Sequence, residues 1–215
     1  CHIGSQLTDL SPLIEACERI LALVDQLAAE GIVLEHLDLG GGVGIVYQDE
    51  NVPDLGAYAQ EVQKLMGTRR LKLVLEPGRS LLDGCGVILA EVSFLKERSD
   101  GLPLIGVAMN RTQCRTAADD ILLDPLLVPT AGPAKEISRE PRTGFVVGAY
   151  CIEDEVILRR ELDFPEGIAV GDTLAIPNTA GYFMHILESA SHQIPLARNV
   201  YYDGGEWVPD DIDAT

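Results

Sequence analysis

Apolar residues in the first part of the chain recur with two periods in alternation, one typical of helices and one of strands. Residues 11–30 are predicted to form an amphipathic helix, because apolar side chains follow one another in steps of three and four residues. The apolar side chains of this face are Ile14, Cys17, Leu21, Val24 and Ala28. Residues 32–39 and 71–75 are predicted as strands, with a second helix over residues 53–66 between them. Strands and helices in alternation are typical of parallel β/α units.

The pattern changes in the second part of the chain, where short apolar stretches follow one another without long helices between them. Strands are predicted over residues 87–95, 104–109, 144–150, 155–162 and 173–176. Residues 199–202 and 206–208 flank Asp203-Gly204-Gly205, which is typical of a hairpin. The predicted fold class is therefore α/β plus β, with β/α units over residues 1–84 and a mostly antiparallel β domain over residues 85–215.

The charge balance of the chain argues against two classes of partner. Its 215 residues include 16 Lys and Arg against 34 Asp and Glu, so the formal net charge is −18. Such a surface repels the phosphate backbone of nucleic acids and the anionic surface of membranes. The sequence also has no apolar run of the ~18 residues that a transmembrane helix needs. We therefore expect no nucleic-acid partner and no membrane partner.

The five cysteines give no sign of a zinc site or of a disulfide framework. None of them forms the CxxC pair that zinc sites use. An odd number of cysteines without a repeated spacing is typical of reduced thiols. We therefore expect a cytoplasmic protein without a bound metal.

A glycine run follows the first predicted strand and is a candidate anion site. Gly40, Gly41 and Gly42 come directly after Leu37-Asp38-Leu39. Without side chains, their backbone N–H groups can approach and surround a phosphate. The alternative is a tight turn between a strand and the next element. The run does not match the GxxxxGK(S/T) pattern, which disfavours a P-loop nucleotide site.

Polar residues that can bind a cofactor follow the second predicted strand and begin the chain. Glu76 comes directly after Leu73-Val74-Leu75, and the carboxyl ends of barrel strands are where such barrels place active sites. A carboxylate there could hold a pyridinium N–H, although a surface Glu–Arg pair with Arg79 is the alternative. His2 could stack on a cofactor ring or bind a phosphate, although a lone histidine more often has no catalytic role.

Two candidates lie in the predicted β domain. Cys151 follows the apolar stretch Gly144–Tyr150, and a thiol can protonate a carbanionic intermediate. The alternative is a buried structural cysteine. Tyr182 carries a hydroxyl that could bond a phosphate oxygen, but a tyrosine is equally at home half-buried in a core.

The order of these motifs resembles that of the fold type III pyridoxal-phosphate (PLP) decarboxylases, and most closely the diaminopimelate decarboxylases and their relatives. The motifs are HIGSQ, LDLGGGVGI, LVLEPGRSLL, VVGAYC and GDTLAIPNTAGY, followed by the final hairpin. In that family a β/α barrel precedes a C-terminal β domain, and PLP lies at the mouth of the barrel. The resemblance therefore implies that residues 1–84 are the C-terminal portion of a PLP-binding barrel.

The resemblance also implies a set of cofactor-binding residues: His2, Ser5, Gly40, Gly41, Gly42, Glu76, Gly78, Arg79 and Tyr182. His2 would pack on the PLP ring, Glu76 would bond the pyridine nitrogen, and the three glycines would bind the phosphate with help from Tyr182. Arg79 and Tyr182 would also face the amino acid substrate. Cys151 would protonate the intermediate after carbon dioxide leaves, usually across a subunit interface, which implies a homodimer with shared active sites.

Two departures from the family pattern change these expectations. The family attaches PLP to a lysine on an early barrel strand, before the HIGSQ motif. None of the lysines of this chain has that context, and they are Lys64, Lys72, Lys96 and Lys135. We therefore expect a fragment that lacks the Schiff-base lysine and is inactive alone. In addition, Ile152 follows Cys151 where the diaminopimelate enzymes have a glutamate.

A third departure concerns the substrate. Asp124 precedes Pro125 where the diaminopimelate pattern has an arginine that holds the distal carboxylate of the substrate. An unpaired Asp124 would repel that carboxylate, so we expect Asp124 to contact a different amino acid substrate. One alternative is that Asp124 is only a turn residue before Pro125. A separate alternative is that Arg111 or Arg115 replaces the missing arginine.

Three hypotheses for the function remain. The favoured one is a PLP-dependent amino acid decarboxylase. The second is a racemase of the same fold type, although alanine racemases use a tyrosine where this chain offers Cys151. The third is a PLP-binding regulatory protein without catalysis.

Overall fold

The computed structural model describes residues 1–111, 124–128, 130, 138–158, 160–180 and 197–210 of the chain. The chain divides into two compact units, Cys1–Gly86 and Val87–Thr215. The first unit alternates helices with parallel strands, and the second is built around a mostly antiparallel sheet. The predicted fold class is confirmed.

The first unit contains three helices and two strands. They are α1 (Ser11–Ala29), β1 (His36–Asp38), α2 (Leu55–Met66), β2 (Lys72–Val74) and α3 (Arg79–Leu82). The two strands pair in parallel, with Leu37 opposite Leu73. The strand predicted over residues 32–39 is too long, because pairing begins only at His36 and Val33 is 79% exposed.

The core of the first unit lies between its two long helices and its two strands. Its buried members are Cys17, Leu21 and Val24 of α1, Leu37 and Leu39 at β1, and Val62 of α2. The buried face of α1 follows the predicted period, but Leu13 is buried in place of Ile14 and Ala28 is exposed. Gly31 has a φ of +84°, which lets the chain leave the helix in the left-handed region.

The described part of the second unit is built around a six-stranded sheet. Its strands are β3 (Val87–Glu97), β4 (Pro103–Val107), β5 (Leu126–Val128), β6 (Ser138–Val147), β7 (Leu162–Glu166) and β8 (Thr173–Pro177). The strand order is β5-β8-β3-β4-β6-β7, and only β4 and β6 pair in parallel among these described strands. Buried side chains such as Val92, Ile105 and Leu174 form its core.

The strand predicted over residues 155–162 is wrong. The described residues of this range, 155–158 and 160–162, make one isolated bridge, between Val156 and Val147, and the regular strand begins only at Leu162. Ile157 and Leu158 are fully buried, so the apolar stretch fills the core with one bridge to β6 in place of a regular strand. A short apolar run cannot by itself distinguish these two outcomes.

The predicted hairpin is present as β9 (Val200–Asp203) and β10 (Glu206–Pro209). The strands pair as a separate two-stranded ribbon, with Tyr202 opposite Trp207. Gly204 and Gly205 have positive φ angles of 56° and 100°, the conformation that a two-residue turn of this kind requires. Within the described part of the chain, no helix combines the length and apolarity needed to cross a bilayer.

The core position of Leu21 predicts that alanine substitutions at two leucines of α1 change the free energy of unfolding by very different amounts. Leu21 is 3% exposed and Leu23 is 51% exposed. We expect Leu21→Ala to lower the free energy of unfolding by about 2–5 kcal/mol, because it leaves a cavity in the core. Leu23→Ala, the matched control, should change it by no more than about 0.5 kcal/mol. Urea denaturation followed by circular dichroism measures both, and equal effects would contradict the helix orientation.

Candidate functional site

The parallel pairing of β1 and β2 brings two of the sequence motifs to the same edge of the first unit. The glycine run follows β1, and Glu76 follows β2. Leu39 N–H donates to Val74 O at 3.1 Å, and Glu76 N–H donates to Gly40 O at 2.8 Å. The ladder thus continues past the strand ends and holds the glycine run beside Glu76.

The N-terminal segment lies along the other side of the glycine run. Leu7 N–H donates to Gly42 O, and Gly44 N–H donates to Leu7 O, both at 2.9 Å. Gly41 N–H donates to Nδ1 of His2 at 3.4 Å, which is long for a hydrogen bond. Three segments distant in sequence therefore meet at one place. We call residues 2–5, 40–42 and 76–79 the cradle.

The glycines of the cradle allow its backbones to approach this closely. A Cβ atom on Gly41 would lie 2.1 Å from Glu76 O, and one on Gly42 would lie 2.1 Å from Gly4 O. Gly40 and Gly42 also have positive φ angles, of 67° and 107°, which disfavour any other residue. The glycines are thus required because the three segments pack closely against one another. A tight turn, the alternative raised in the sequence analysis, would not by itself explain these contacts.

The cradle carries the groups that a phosphorylated pyridine ring needs. Backbone N–H groups of such a run can bind an anion. The Gly40 N–H already donates to Oδ1 of Asp38 at 2.7 Å, whereas the weakly held N–H of Gly41 is easier to release to an anion. Arg79 adds a half-buried guanidinium at the first residue of α3. Glu76 and His2 are exposed at the same edge, as a carboxylate and an imidazole ring. The donor set therefore fits such a ligand.

An apolar cleft of about 440 Å³ lies beside the glycine run. Apart from the glycines, its walls are mainly apolar side chains from α2 and from the end of β2, including Val62, Met66, Leu73 and Leu75. His2, Ser5, Glu76 and Arg79 are absent from its lining. The cleft therefore does not coincide with the polar groups of the cradle.

Cys151 lies in a turn of the second unit and is an exposed free thiol. The alternative of a buried structural cysteine is therefore wrong. Gly148 N–H donates to Glu155 O at 3.0 Å and closes the turn around Cys151. Ala149 N–H donates to Met109 O at 2.8 Å, which anchors the same turn to the segment after β4. We call residues 148–155 the thiol turn.

Glu155 supports the thiol turn, and the sequence analysis did not identify it. Its side chain is 3% exposed, and Oε1 accepts a hydrogen bond from the Arg111 N–H at 2.9 Å. Burial raises the pKa of Glu155, while the N–H groups of Arg111 and Tyr150 and the charge of Arg111 oppose this shift. A Cβ on Gly148 would lie 2.1 Å from Oε1, so the carboxylate packs directly on the turn.

One sequence signal could have pointed to Glu155. It is the acidic residue that directly precedes Val156-Ile157-Leu158, a run with two fully buried members. An acidic residue next to a buried apolar run lies close to the interior, so its side chain is itself a candidate for burial. Ile152, the position compared with the family's glutamate, is exposed, and so is Glu153 directly after it.

Asp124 is paired, which changes the argument made from the sequence. Its carboxylate accepts a hydrogen bond from Nη2 of Arg160 at 2.6 Å, so the expectation of an unpaired charge is wrong. Arg111, one of the suggested replacement arginines, contacts the carboxylates of Asp154 and Glu155. Arg115, the other suggested arginine, and Tyr182 lie outside the described residues.

The predicted site residues are thus divided between the two units. The first unit brings together His2, Ser5, Gly40, Gly41, Gly42, Glu76, Gly78 and Arg79. The second unit contains Cys151 and Asp124.

Comparison with known proteins gives matches along 96% of the chain. Residues 1–83 match the pyridoxal-binding domain of the pyridoxal-dependent decarboxylases. Over 208 residues, 96% of this chain, it is 75% identical to the diaminopimelate decarboxylase of Neisseria meningitidis serogroup B. It is 51% identical over the same share to the serogroup A enzyme. The chain spans 48% of the length of each of these relatives.

A solved structure has the same fold. It is the crystal structure of diaminopimelate decarboxylase from Helicobacter pylori complexed with L-lysine. The TM-score is 0.78 at 25% sequence identity, and the match covers 97% of this chain and 49% of that one.

The raised pKa of Glu155 predicts a pH dependence of stability. A carboxyl whose pKa is higher in the folded state binds its proton more tightly there, so its contribution is complete below the pKa of the unfolded chain. That contribution is lost as the pH rises through the folded pKa. We therefore expect Glu155→Gln to gain stability relative to wild type as the pH rises from about 4 to 8.

Thermal unfolding at several pH values measures this difference. Glu153→Gln is the matched control, since it removes the same charge from an exposed position of the thiol turn. A Glu155→Gln curve that runs parallel to wild type at every pH would contradict the pKa shift.

Proposed function

The chain belongs to the fold type III PLP-dependent decarboxylases, and we propose that the whole protein releases carbon dioxide from an amino acid with PLP as its cofactor. The observation that carries this proposal is the meeting of three motifs in the cradle, where anion-binding groups lie beside an exposed carboxylate. The relatives compared above are decarboxylases, which favours this activity over racemisation or a purely regulatory role.

PLP supplies an electron-withdrawing ring that stabilises the negative charge left when carbon dioxide departs. In the proposed role, the N–H groups of the glycine run and Arg79 hold its phosphate, with Ser5 beside them. Glu76 accepts the pyridine N–H and keeps that proton on the nitrogen, which maintains the ring's electron demand. His2 packs on the ring and excludes water from that face.

Cys151 is the proposed proton donor after carbon dioxide leaves. The support is its exposed thiol on a turn that buried Glu155 anchors. A proton donor must reach the reacting carbon in a fixed geometry, and an anchored turn provides this better than a loose loop. We further propose a homodimer in which Cys151 of each subunit serves the site of the other.

The proposed substrate is diaminopimelate. The support is the name of the relatives and the L-lysine bound in the Helicobacter pylori enzyme, because diaminopimelate that loses carbon dioxide becomes lysine. The argument for a different substrate assumed that Asp124 is unpaired. Because Asp124 contacts Arg160, that argument no longer holds. Asp124 keeps a proposed place near the substrate as one half of an ion pair.

A cytoplasmic location is proposed as well. The described cysteines are free thiols, namely Cys1, Cys17, Cys85 and Cys151. Free thiols are typical of proteins from reducing compartments.

The proposed function predicts a substrate profile for the whole protein with PLP. We expect the kcat/KM for carbon dioxide release to be higher for diaminopimelate than for lysine, ornithine or arginine, each measured as an alternative substrate. Binding of PLP, seen by near-visible absorbance, without carbon dioxide release from any of the four would contradict the decarboxylase proposal. A higher kcat/KM for one of the other three would contradict the substrate alone.

The role of Glu76 gives a further prediction. In the whole enzyme, Glu76→Gln should lower kcat at least about tenfold, roughly 1.4 kcal/mol, because a neutral amide no longer stabilises the charged pyridine nitrogen. Glu61→Gln removes a charge from the exposed surface of α2 and serves as the control. Steady-state kinetics at full PLP occupancy measures both variants. Unchanged turnover of Glu76→Gln would return Glu76 to the role of a surface turn residue.

A further inference from the structure

Tyr47 is a buried residue of the first unit whose hydroxyl has a specific partner. Its side chain is 4% exposed, and its hydroxyl oxygen accepts a hydrogen bond from Nε of Arg79 at 3.2 Å. The two residues are 32 positions apart, one following the glycine run and the other following β2. The contact therefore joins the two segments that leave the parallel strands.

The backbone on both sides of Tyr47 is anchored. Before it, the side-chain amide of Gln6 donates to Ile45 O at 2.6 Å and accepts from Ile45 N–H at 3.2 Å. At the residue itself, the N–H groups of Tyr47 and Gln48 both donate to Oε2 of Glu50 at 2.9 Å. These N–H groups hold the pKa of Glu50 below its usual value, so the anchor is a charged carboxylate at neutral pH.

The hydroxyl of Tyr47 is a neutral partner for a cation. Burial raises the pKa of Tyr47, the charges of Asp83 and Glu50 raise it further, and together they exceed the opposite effect of the Arg79 hydrogen bond and charge. The hydroxyl therefore stays protonated at neutral pH, so it orients the guanidinium without cancelling its charge. A carboxylate at the same place would form an ion pair and compete with an incoming anion.

A bond at Nε has a particular effect on an arginine. The guanidinium is planar, so fixing Nε and the side-chain stem sets the directions in which the Nη donors point. Orienting the group in advance reduces the rotamer freedom that is lost when an anion binds. Arg79 lies directly after Glu76-Pro77-Gly78, at the edge where the cradle gathers its anion-binding groups.

We propose that Tyr47 is a positioning residue that holds the Arg79 guanidinium in the orientation that receives an anionic group of the cofactor or the substrate. The inference rests on the proposed function, which places Arg79 beside such groups. The anion is a phosphate or a carboxylate, and both accept the paired donors of a guanidinium.

The test uses Tyr47→Phe in the whole protein, because phenylalanine keeps the buried ring and removes only the hydroxyl. We expect a rise of about 3- to 30-fold in the PLP dissociation constant or in the substrate KM, with a smaller change in kcat. A rise in the PLP constant identifies the phosphate, and a rise in KM at full PLP occupancy identifies the substrate carboxylate. Tyr201→Phe removes a hydroxyl from an exposed tyrosine of β9 and should leave both constants unchanged.

The coupling between the two residues separates positioning from a general structural effect. Added to Arg79→Ala, Tyr47→Phe should cause no further change, because its partner is already gone. The proposal is overturned if Tyr47→Phe leaves both the PLP dissociation constant and the substrate KM unchanged. It is also overturned if Tyr47→Phe changes these constants equally in wild type and in Arg79→Ala.

A second readout does not depend on turnover. The Nε–H of Arg79, identified in a nitrogen-15 NMR spectrum by its loss in Arg79→Lys, should exchange slowly in wild type and faster in Tyr47→Phe. Equal exchange in the two proteins overturns the contact. If the wild type binds PLP but releases no carbon dioxide, the proposed function fails, while the PLP constants and this signal still decide the role of Tyr47.

Discussion

The close approach of backbone segments at the glycine run is the constraint on which the first unit depends. Gly41 lies where a single added carbon would be 2.1 Å from Glu76 O, and Gly42 where it would be 2.1 Å from Gly4 O. Because no side chain intervenes, the ladder between β1 and β2 extends to the Glu76–Gly40 hydrogen bond. This extension places a carboxylate, an imidazole, a guanidinium and backbone amides at one edge.

In the second unit, a buried carboxylate anchors the turn that carries the exposed thiol. This carboxylate, Glu155, accepts hydrogen bonds from the backbone N–H groups of Arg111 and Tyr150 at the base of the thiol turn. Burying a carboxylate is costly unless it is hydrogen-bonded, so the turn is stable only when these donors are in place. The raised pKa of Glu155 is the sign that this compensation is incomplete.

The sequence predicted the helices and the fold class well, because their periods reflect burial that neighbouring residues share. The predicted strand limits were less accurate. The strand β1 extends only over the three residues that pair with β2. The stretch that begins at Glu155 has buried residues but makes only an isolated bridge. The cradle motifs were visible because each is a short local pattern. The contacts of Tyr47 and Glu155 were not, because their partners are 32 and 44 residues away in the chain.

Binding of PLP to two alanine variants of the cradle tests the central claim most directly. Gly41→Ala places a methyl group against the backbone of Glu76, whereas Gly4→Ala meets only the flexible side chain of Leu7 at 3.4 Å. Fluorescence titration of the whole protein with PLP measures both affinities. The account predicts a loss of at least about tenfold in Gly41→Ala, roughly 1.4 kcal/mol, with Gly4→Ala close to wild type. Equal affinities of Gly41→Ala and wild type would show that the cradle is not where the cofactor binds.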